Sequence, residues 1–553
     1  MKHTKANLVL KNGSVYTVDS DHSRAQAIAI AGDRIIFVGS DGGVEATIGA
    51  GTVVVDLEGK MVLPGFVEAH AHPSHAMDYV GNISLYSLDS PEAYREVIAS
   101  YVASHGAAEV LRGSGWDNKC FPGIGPGREF LDALVPDRLI SLVSYDGHSI
   151  WVNSLTLERA GISRDTPDPE GGFIERDPIS GEPSGTLRET AMLLIDRVIP
   201  DYSTEERKQA LLAYQEMAAR AGVTLSHDAM LKAESIKAFK ELEAEGQLKM
   251  RFRGAVLMEP DQPVEPQIGT VLEERKRNRH PYFQTNAAKI FVDGVIEGGT
   301  AYLFEPYAHK PEFRGEPLWQ PEMLNDVSAA LDEKGLQIHV HVIGDAATRI
   351  TLDALEYAQE KNGRRDSRHL VTHLQLVAPE DIQRFWELGV IGVPQPFWFS
   401  VGDYYRDLAL PYLGKERADV QYPMRSFIEK GIIMASSSDF PVTIPFDPVI
   451  GIQLGITRSE IGLEPEEVLW PEERTTLEEM ITTFTFNGAY ANFLDEDTGS
   501  LEVGKKADIV VLERNLFDVP PTEIGQTKVV LTLVDGKEVY RNGEQLPAIS
   551  DGQ

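Results

Sequence analysis

Short apolar segments alternate with helix-like segments through the middle of this 553-residue chain. Amphipathic patterns such as AESIKAFKELEAEG and APEDIQRFWELG separate most of the apolar segments. The sequence predicts eight strands there, at 61–72, 223–230, 251–258, 286–294, 335–345, 369–375, 389–396 and 431–439. Eight strands with mostly helical connections predict an α/β fold of the TIM-like (β/α)8 barrel type. A doubly wound sheet is the competing fold, but no glycine-rich dinucleotide fingerprint supports it.

The two ends of the chain have a different texture from the middle. Short runs of β-branched residues broken by Gly, Asn and Asp occupy residues 7–63, and the same texture returns at 506–514 and 527–543. Each end alone offers few strands to bury a core. We therefore predict one small β-sandwich built from both ends, with two independent β appendages as the alternative. The predicted domains are 1–62 with 495–553 for the sandwich and 63–494 for the barrel.

A long insertion separates the first two predicted barrel strands. Residues 73–222 span about 150 positions, far more than a connecting loop needs. The insertion is rich in Gly and Pro, as in CFPGIGPGREF. We predict an inserted lobe at about 76–205, near the C-terminal mouth of the barrel, where loops build active sites.

Acidic residues dominate the charge of the chain. Asp plus Glu number 85 against 52 for Lys plus Arg, which gives a net charge of −33. Such a surface argues against nucleic acid or an anionic membrane as a partner, and no apolar run approaches the roughly 20 residues that span a bilayer. The lone cysteine, Cys120, excludes an intrachain disulfide and fits a reducing compartment. We expect a cytoplasmic protein that binds a small-molecule substrate, with a homodimer as one option.

A pair of histidines ends the first predicted barrel strand. His70 and His72 are two residues apart, and such residues point to the same side of a strand. Two neutral imidazoles on one side can hold a metal ion, because a neutral ring nitrogen is a common ligand. Ordinary hydrogen bonding also produces such pairs, so the pair alone leaves both interpretations open.

The other strand ends strengthen the metal hypothesis. The fourth predicted strand carries Lys289, the fifth His339 and His341, the sixth His373 and the eighth Asp439. Five of the 14 histidines fall within the first, fifth and sixth strands. Ligands that are distant in sequence can converge, because the carboxyl ends of barrel strands meet at one face. The set as a whole therefore predicts a site for a divalent metal ion.

Several sequence blocks resemble those of a known enzyme family. In chain order they are LPGFVEAHAH (63–72), GWDNKCF, DGHSIWVNS (146–154), GGFIERDPISGEPSGTLRE (171–189), HVIGDAA (341–347), THLQLV (372–377), SSSDFPV (436–442) and GSLEVGKKADIVVLE (499–513). On these blocks the chain resembles the amidohydrolase superfamily, and within it family 3, the YtcJ-like enzymes. The resemblance covers nearly the whole chain and is specific to the family, but it says little about the substrate.

The resemblance implies a metal site of six side chains at the barrel mouth. They are His70, His72, Lys289, His341, His373 and Asp439. At the position of Lys289, some superfamily members carry a carbamylated lysine that bridges two metals, and an unmodified lysine in a salt bridge is the alternative. Asp439 matches the aspartate that binds metal and accepts a proton from the attacking water. The expected metal is zinc, as one or two ions.

Two positions complicate the family pattern. Glu68 stands where the opening motif usually has Asp, which slightly changes how far the carboxylate reaches from the backbone. His339 and His341 both lie on the inward side of the fifth strand, and the H-x-x-G-D context favours His341 as the ligand. We therefore expect His339 to pack beside the site or to support a ligand.

Further polar side chains are candidates for binding substrate. The candidates are Trp116, His148, Asn153, His227 and Arg425. The first three belong to the inserted lobe, His227 ends the second barrel strand, and Arg425 could hold a substrate carboxylate. For each of these residues, a purely structural role as a hydrogen-bonded polar side chain is an equal alternative.

The pattern as a whole predicts a hydrolase. We expect a metal-activated water to cleave the C–N bond of a substituted amide or N-acyl compound. A nearby carboxylate takes a proton from that water and passes it to the leaving nitrogen. A deaminase or cyclic-amide hydrolase of the same superfamily is the first alternative, and a non-catalytic binding or regulatory relative is the second.

Overall fold

The chain divides into two compact units. One contains Met1–Pro73 together with Tyr214–Gln553, and the other is Ser74–Ala213. The computed structural model describes residues 4–86, 88–106, 108–121, 124–144, 149–169, 172–462, 467–543 and 545–546. No helix within these residues is long and apolar enough to cross a membrane.

Seven parallel strands form most of a barrel in the first unit. They are Phe66–Ala71, Val223–Leu231, Arg251–Leu257, Phe283–Phe291, Gln337–Val342, Leu370–His373 and Ile391–Val393. Their order in the sheet follows their order in the chain. Nearly all of their residues are buried, as expected of parallel strands covered on both faces. The first seven predicted barrel strands are therefore confirmed, with small differences in their bounds.

The eighth predicted strand, 431–439, is an irregular segment that closes the barrel. Gly392 of the seventh strand donates a backbone hydrogen bond to Ile433 O at 3.0 Å, and Asp439 donates one to His70 O of the first strand at 3.1 Å. The segment therefore lies between the seventh and first strands. Asp439 has a φ of +64°, outside the extended region, so a regular strand cannot continue through it.

Helices follow the second to sixth barrel strands, as the amphipathic patterns predict. They are Ala233–Ala244, Val264–Arg277, Pro321–Glu333, Asp345–Asn362 and Pro379–Leu388. The last of them buries Ile382 and Phe385, which are three residues apart and so lie on one face. Further helices after the seventh strand are Leu410–Leu413, Lys415–Ala418, Met424–Glu429, Pro448–Thr457, Leu477–Thr483 and Phe486–Ala491.

Strands from both chain ends share one sheet. A six-stranded sheet contains Ser14–Tyr16, Arg24–Ala25, Met61–Pro64, Ile509–Leu512, Val529–Val534 and Lys537–Arg541. A four-stranded sheet contains Leu8–Lys11, Ala27–Ala31, Arg34–Gly39 and Val53–Asp56, with the short helix Asp41–Val44 before its last strand. One hydrophobic cluster includes Leu10 and Ile28 from the smaller sheet and Val62 and Val511 from the larger one. The two ends therefore bury their apolar faces together.

Gly65 marks the point where the chain leaves this sheet and enters the barrel. The sequence predicts one strand over 61–72, but the structure divides it at Gly65 into two strands that belong to different sheets. A side chain on residue 65 would come within 2.3 Å of Thr224. Because only glycine allows this approach, Gly65 fixes the position of the barrel strand that carries the first histidine pair.

The second unit has a sheet and a hydrophobic core of its own. Its strands are Ile83–Ser84, Val110–Trp116, Leu139–Ser144, Ser149–Val152, Gly172–Arg176 and Pro183–Glu189, and its helices include Pro91–Ser104, Arg128–Asp132 and Ser154–Ala160. One apolar cluster surrounds Trp116 and Trp151, and a second surrounds Leu157 and Leu187. Much of the Gly- and Pro-rich sequence of the predicted lobe connects these elements.

The helix Thr204–Arg220 leads in sequence from the lobe to the second barrel strand. Ser203 Oγ accepts a hydrogen bond from Glu206 N at 3.2 Å, and Glu206 Oε2 accepts one from Ser203 N at 2.7 Å. This reciprocal pair is a capping box, which stabilises the start of the helix.

Buried charges link the third barrel strand to the sheet of the chain ends. The Arg251 guanidinium donates to Asp508 and Asp535, and all three side chains are largely enclosed. We expect Arg251→Met to lower the free energy of unfolding by about 3–5 kcal/mol, because the buried Asp508 loses its counter-charge and Asp535 is left with Lys506 at 3.3 Å. Arg277→Met, at an exposed ion pair with Glu273, should cost less than about 1 kcal/mol. Urea denaturation followed by circular dichroism checks both, and equal midpoints for the two variants would contradict the expectation.

Candidate metal centre

The carboxyl ends of the barrel strands bring the predicted metal ligands together. His70 Nε2 lies 3.2 Å from Asp439 Oδ1, and His72 Nε2 lies 3.1 Å from the same oxygen. The centres of the His70 and His373 rings are 5.0 Å apart. One ligand atom from each of His70, His373 and Asp439 lies within 4.8 Å of the others. This spacing allows a single metal ion to contact all three.

Several buried polar atoms of the centre have no hydrogen-bond partner among the described residues. They include His70 Nε2, Lys289 Nζ and Asp439 Oδ1. Buried polar atoms in folded proteins are nearly always partnered, and leaving them unpartnered is costly. Imidazole nitrogen and carboxylate oxygen are ligands that divalent transition metals accept. The residues present therefore fit a metal ion.

The charge state of Asp439 follows from its surroundings. Burial by itself raises the pKa of the carboxyl, but His72, His373 and Lys289 outweigh that effect and hold the pKa below its usual value. The carboxylate is therefore ionised at neutral pH. In that form it can bind a cation or accept a proton.

Lys289 lies on the fourth barrel strand, beside His339 on the fifth. Its side chain is fully buried, and Nζ lies 4.5 Å from the centre of the Phe291 ring. Burial lowers the pKa of Lys289 to about 7, with Asp439 opposing the shift. Because Nζ has no hydrogen-bond partner in the described part of the chain, the salt bridge considered as an alternative is not formed.

Gln395 fixes the orientation of His373. Gln395 Nε2 donates to Val393 O at 3.1 Å and to Ser437 Oγ at 2.9 Å, so Gln395 Oε1 faces the imidazole. His373 Nδ1 lies 2.8 Å from that oxygen and must carry the proton. Neutral His373 therefore presents its lone pair on Nε2. Trp398 stacks on the ring at 5.5 Å between centres.

A backbone carbonyl fixes His341 in the same way. His341 Nε2 donates to Gly294 O at 3.1 Å, so the lone pair of the neutral ring is on Nδ1. The His341 ring lies 4.5 Å from the His373 ring between centres. Asp293, which precedes Gly294, accepts a hydrogen bond from Gly344 N at 2.8 Å and so holds the adjoining loop. Burial raises the pKa of Asp293 to about 7, although such backbone donors lower it.

Glu68 ties the first barrel strand to the closing segment. Glu68 Oε2 accepts hydrogen bonds from Ser438 N at 2.9 Å and from Ser438 Oγ at 2.6 Å. Burial raises the pKa of Glu68 to about 8, although the two bonds from Ser438 lower it. Glu68 stands where the family usually has Asp, and it still reaches the backbone of Ser438, next to Asp439.

The backbone is strained at two residues of the centre. The φ angles of His373 and Asp439 are +73° and +64°. Residues other than glycine rarely adopt this left-handed region, and holding one there costs on the order of 1–3 kcal/mol. Such strain persists where the surrounding contacts over-determine the conformation, and the bond that His373 Nδ1 donates to Gln395 Oε1 is one such contact.

Three buried histidines form a hydrogen-bonded row that starts at the centre. His70 Nδ1 lies 2.7 Å from His339 Nε2, and His339 Nδ1 lies 3.2 Å from His227 Nε2. At the far end, His227 Nδ1 lies 2.8 Å from Asn492 Oδ1. We call these three residues the histidine row. Burial lowers the pKa of each ring, that of His227 to about 4.

Two of the predicted substrate-binding residues lie in the interior of the lobe. The Trp116 indole N–H donates to Leu142 O at 2.8 Å, and the side chain has no exposed surface. Asn153 Oδ1 accepts from Thr156 N at 2.9 Å, and its Nδ2 donates to Val135 O at 2.7 Å. Both side chains therefore support the lobe itself, which does not fit the predicted contact with substrate.

The other three candidates have different surroundings. Arg425 donates to Glu429 at 2.9 Å and to Glu479 at 2.6 Å, so two carboxylates of the chain already neutralise it. This pairing does not fit a receptor for a substrate carboxylate. His227 belongs to the histidine row, with both ring nitrogens engaged. His148 lies outside the described residues.

Sequence reasoning did not find three supporting residues of the centre. They are Gln395, Ser438 and Asn492. Gln395 lies two residues after the seventh strand and Ser438 directly precedes Asp439, so their positions near strand ends could have marked them. Asn492 follows the helix Phe486–Ala491, and no pattern in the sequence connects it with a barrel strand.

Known proteins resemble the chain along nearly its whole length. It is 30% identical over 537 residues to YtcJ of Bacillus subtilis (strain 168), covering 96% of this chain and 98% of that protein. It is 28% identical over 542 residues to the N-substituted formamide deformylase of Arthrobacter pascens, covering 96% and 97% of the two chains. The crystal structure of an uncharacterized metal-dependent hydrolase from Pyrococcus furiosus matches with a TM-score of 0.74 and 26% identity, covering 92% of this chain and 99% of that one.

One family accounts for both the sequence blocks and the arrangement at the barrel mouth. The sequence profile of the amidohydrolase family matches residues 53–540, which include every barrel strand. The chain therefore belongs to the amidohydrolase family, as one of its YtcJ-like members.

Proposed function

We propose that the protein is a metal-dependent hydrolase that cleaves the C–N bond of an amide or N-acyl compound. The observation that carries the proposal is the convergence of ligand atoms from His70, His373 and Asp439 within 4.8 Å of one another, with no hydrogen-bond partner among the described residues for His70 Nε2 and Asp439 Oδ1. The names of two relatives, an N-substituted formamide deformylase and a metal-dependent hydrolase, support the reaction class.

The proposed metal is zinc, as one or two ions, and six side chains would hold it. These are His70, His72, Lys289 as its carbamate, His341, His373 and Asp439. A divalent ion bound there would supply Lewis acidity, which would polarise the substrate carbonyl and make a water acidic enough to attack at neutral pH. The fixed tautomers of His341 and His373 support the proposal, since each ring turns an unprotonated nitrogen away from its backbone or amide partner.

Asp439 is the proposed acceptor for the proton of the attacking water. The water oxygen bonds to the carbonyl carbon while its proton passes to the carboxylate. The carboxylic acid then returns the proton to the nitrogen as the C–N bond breaks, which leaves a carboxylic acid and an amine. An amide needs both transfers, because an amine anion is a poor leaving group. Glu68 holds the neighbouring Ser438 and so orients this carboxylate.

A substrate panel tests the proposed reaction. The panel contains an N-substituted formamide, an N-acyl amine, a cyclic amide and an amino-substituted heterocycle, each incubated with zinc-loaded protein. We expect the first two to release amine and carboxylate in equal amounts, with the reaction stopped by a chelator and restored by zinc. Release of ammonia alone would indicate a deaminase, and ring opening alone a cyclic-amide hydrolase. No turnover in a zinc-loaded protein would favour a binding or regulatory role.

Replacement of Lys289 tests the proposed carbamate. Lys289→Ala should lower turnover by at least about 10²-fold, because it removes a buried ligand on which the metal centre depends. Short carboxylic acids such as acetate or propionate should restore part of the rate, since they can occupy the space and supply the missing carboxylate. The wild-type protein serves as the control and should gain nothing from these acids. A Lys289→Ala protein with unchanged activity would contradict the assignment.

A further inference from the structure

We propose that Asn492 fixes the tautomer of His70 through the histidine row, so that the lone pair of His70 Nε2 faces the metal centre before any metal binds. The proposal rests on the proposed function, because this lone pair matters only if His70 is a metal ligand. Asn492 is then a positioning residue that contacts neither metal nor substrate.

Asn492 determines which nitrogen of each ring in the histidine row donates its hydrogen bond and which accepts. Its Nδ2 donates to Gly488 O at 2.8 Å. A carbonyl oxygen can only accept, so the amide nitrogen must point to Gly488 and Oδ1 must point to His227. That oxygen also can only accept, and His227 Nδ1 lies 2.8 Å away. His227 therefore carries its proton on Nδ1.

The remaining bonds transmit this choice from ring to ring. A neutral imidazole has one N–H and one lone pair. With its proton on Nδ1, His227 accepts at Nε2 from His339 Nδ1 at 3.2 Å. His339 then has its lone pair on Nε2 and accepts there from His70 Nδ1 at 2.7 Å. His70 is left with an unprotonated Nε2, 3.2 Å from Asp439 Oδ1.

The reversed row is disfavoured by the same geometry. It would place a proton on His70 Nε2, where it would block metal binding, in exchange for a bond to Asp439 Oδ1 that His72 Nε2, 3.1 Å from the same oxygen, can also supply. At the other end, the lone pairs of His227 Nδ1 and Asn492 Oδ1 would face each other at 2.8 Å. This repulsion sits in a fully buried position, where no water can relieve it.

An additional proton in the row is also disfavoured. Both nitrogens of His339 are bonded to other histidines, and both nitrogens of His227 are bonded to His339 and Asn492. Among the described residues no carboxylate accepts from either ring, so a charge there would be buried without a partner. The row therefore stays neutral, with one proton in each of its bonds.

Neutron diffraction tests the direction of the row. Crystals of the protein in heavy water are measured twice, once loaded with zinc and once after a chelator. We expect deuterium on Nδ1 of His70, His339 and His227 in both crystals and none on their Nε2 atoms. Deuterium on Nε2 of His70 or His339 in the metal-free crystal would overturn the proposal.

A variant tests the consequence for metal affinity. Asn492→Leu removes the acceptor that sets the direction and should weaken zinc binding by about 10- to 100-fold, the scale of losses from partners behind a metal ligand. Asn278→Leu is the matched control, because Asn278 is also a buried asparagine whose Nδ2 donates, here to Thr285 Oγ1 at 3.2 Å. The control should lose stability to a similar degree and bind zinc like the wild type.

Zinc competition with a chelating dye gives the affinities, and thermal melting gives the stabilities. Wild-type zinc affinity in a folded Asn492→Leu protein would overturn the proposal. If this variant does not fold, the deuterium positions in the wild-type crystals still decide. A wild-type protein that binds no zinc would overturn the proposed function, while the direction of the row would still be read from the metal-free crystal.

Discussion

Asp439→Asn is expected to lower turnover of an amide substrate by about 10²-fold or more, while the protein folds and keeps most of its metal. The amide keeps an oxygen that can contact a cation, but it cannot accept the proton of the attacking water. The same change removes the group that would return the proton to the leaving nitrogen. Turnover is measured beside metal content and melting temperature.

Asp381→Asn is a suitable control for this experiment. Asp381 is also a buried aspartate, and it pairs with Arg349 at 2.6 Å on a helix outside the metal centre. The Asp381→Asn protein should be less stable than the wild type but should keep the same turnover rate per bound metal ion. A folded, metal-loaded Asp439→Asn protein with near-normal turnover would mean that another group takes the proton.

Joint replacement of His70 and His72 by alanine is expected to remove the metal and reduce hydrolysis to background. The two imidazoles approach Asp439 Oδ1 from the same strand at 3.2 and 3.1 Å, so their loss removes one side of the centre. Elemental analysis of the purified protein measures metal per chain. A matching double replacement of His280 and His309, which lie outside the centre, should leave metal content unchanged. Equal metal content in both double variants would show the ligand assignment to be wrong.

The barrel could be predicted from sequence because each of its strands carries a local signal. A buried parallel strand is a short apolar run, and an amphipathic helix pattern follows most of these runs. The break at Gly65 carries no such signal, since it depends on contact with Thr224 more than 150 positions later. The irregular closing segment 431–439 likewise depends on hydrogen bonds to two strands from distant parts of the chain.

The convergence of the candidate metal ligands was predictable for a related reason. All barrel strands end at the same face, so a residue type at a strand end predicts proximity without knowledge of the contacts. His70, His373 and Asp439 converge as this rule predicts. Asn492 reaches the centre only through two other side chains, and nothing local marks it.

The substrate-binding candidates show where motif resemblance alone is insufficient. Trp116 and Asn153 lie in sequence blocks typical of the family, and such blocks can be needed for packing as well as for function. Both side chains are fully buried in the lobe, and their polar atoms are used within it. Exposure and hydrogen bonding, which sequence does not report, separate the two cases.

Diffraction from zinc-loaded crystals on both sides of the zinc absorption edge locates the metal and identifies its ligands. We expect one or two anomalous peaks within bonding distance of His70 Nε2, His373 Nε2 and Asp439 Oδ1, with density for an added carboxylate on Lys289 if two ions are present. Absence of any peak at the barrel mouth, or a peak held by other residues, would show that these side chains do not form a metal site.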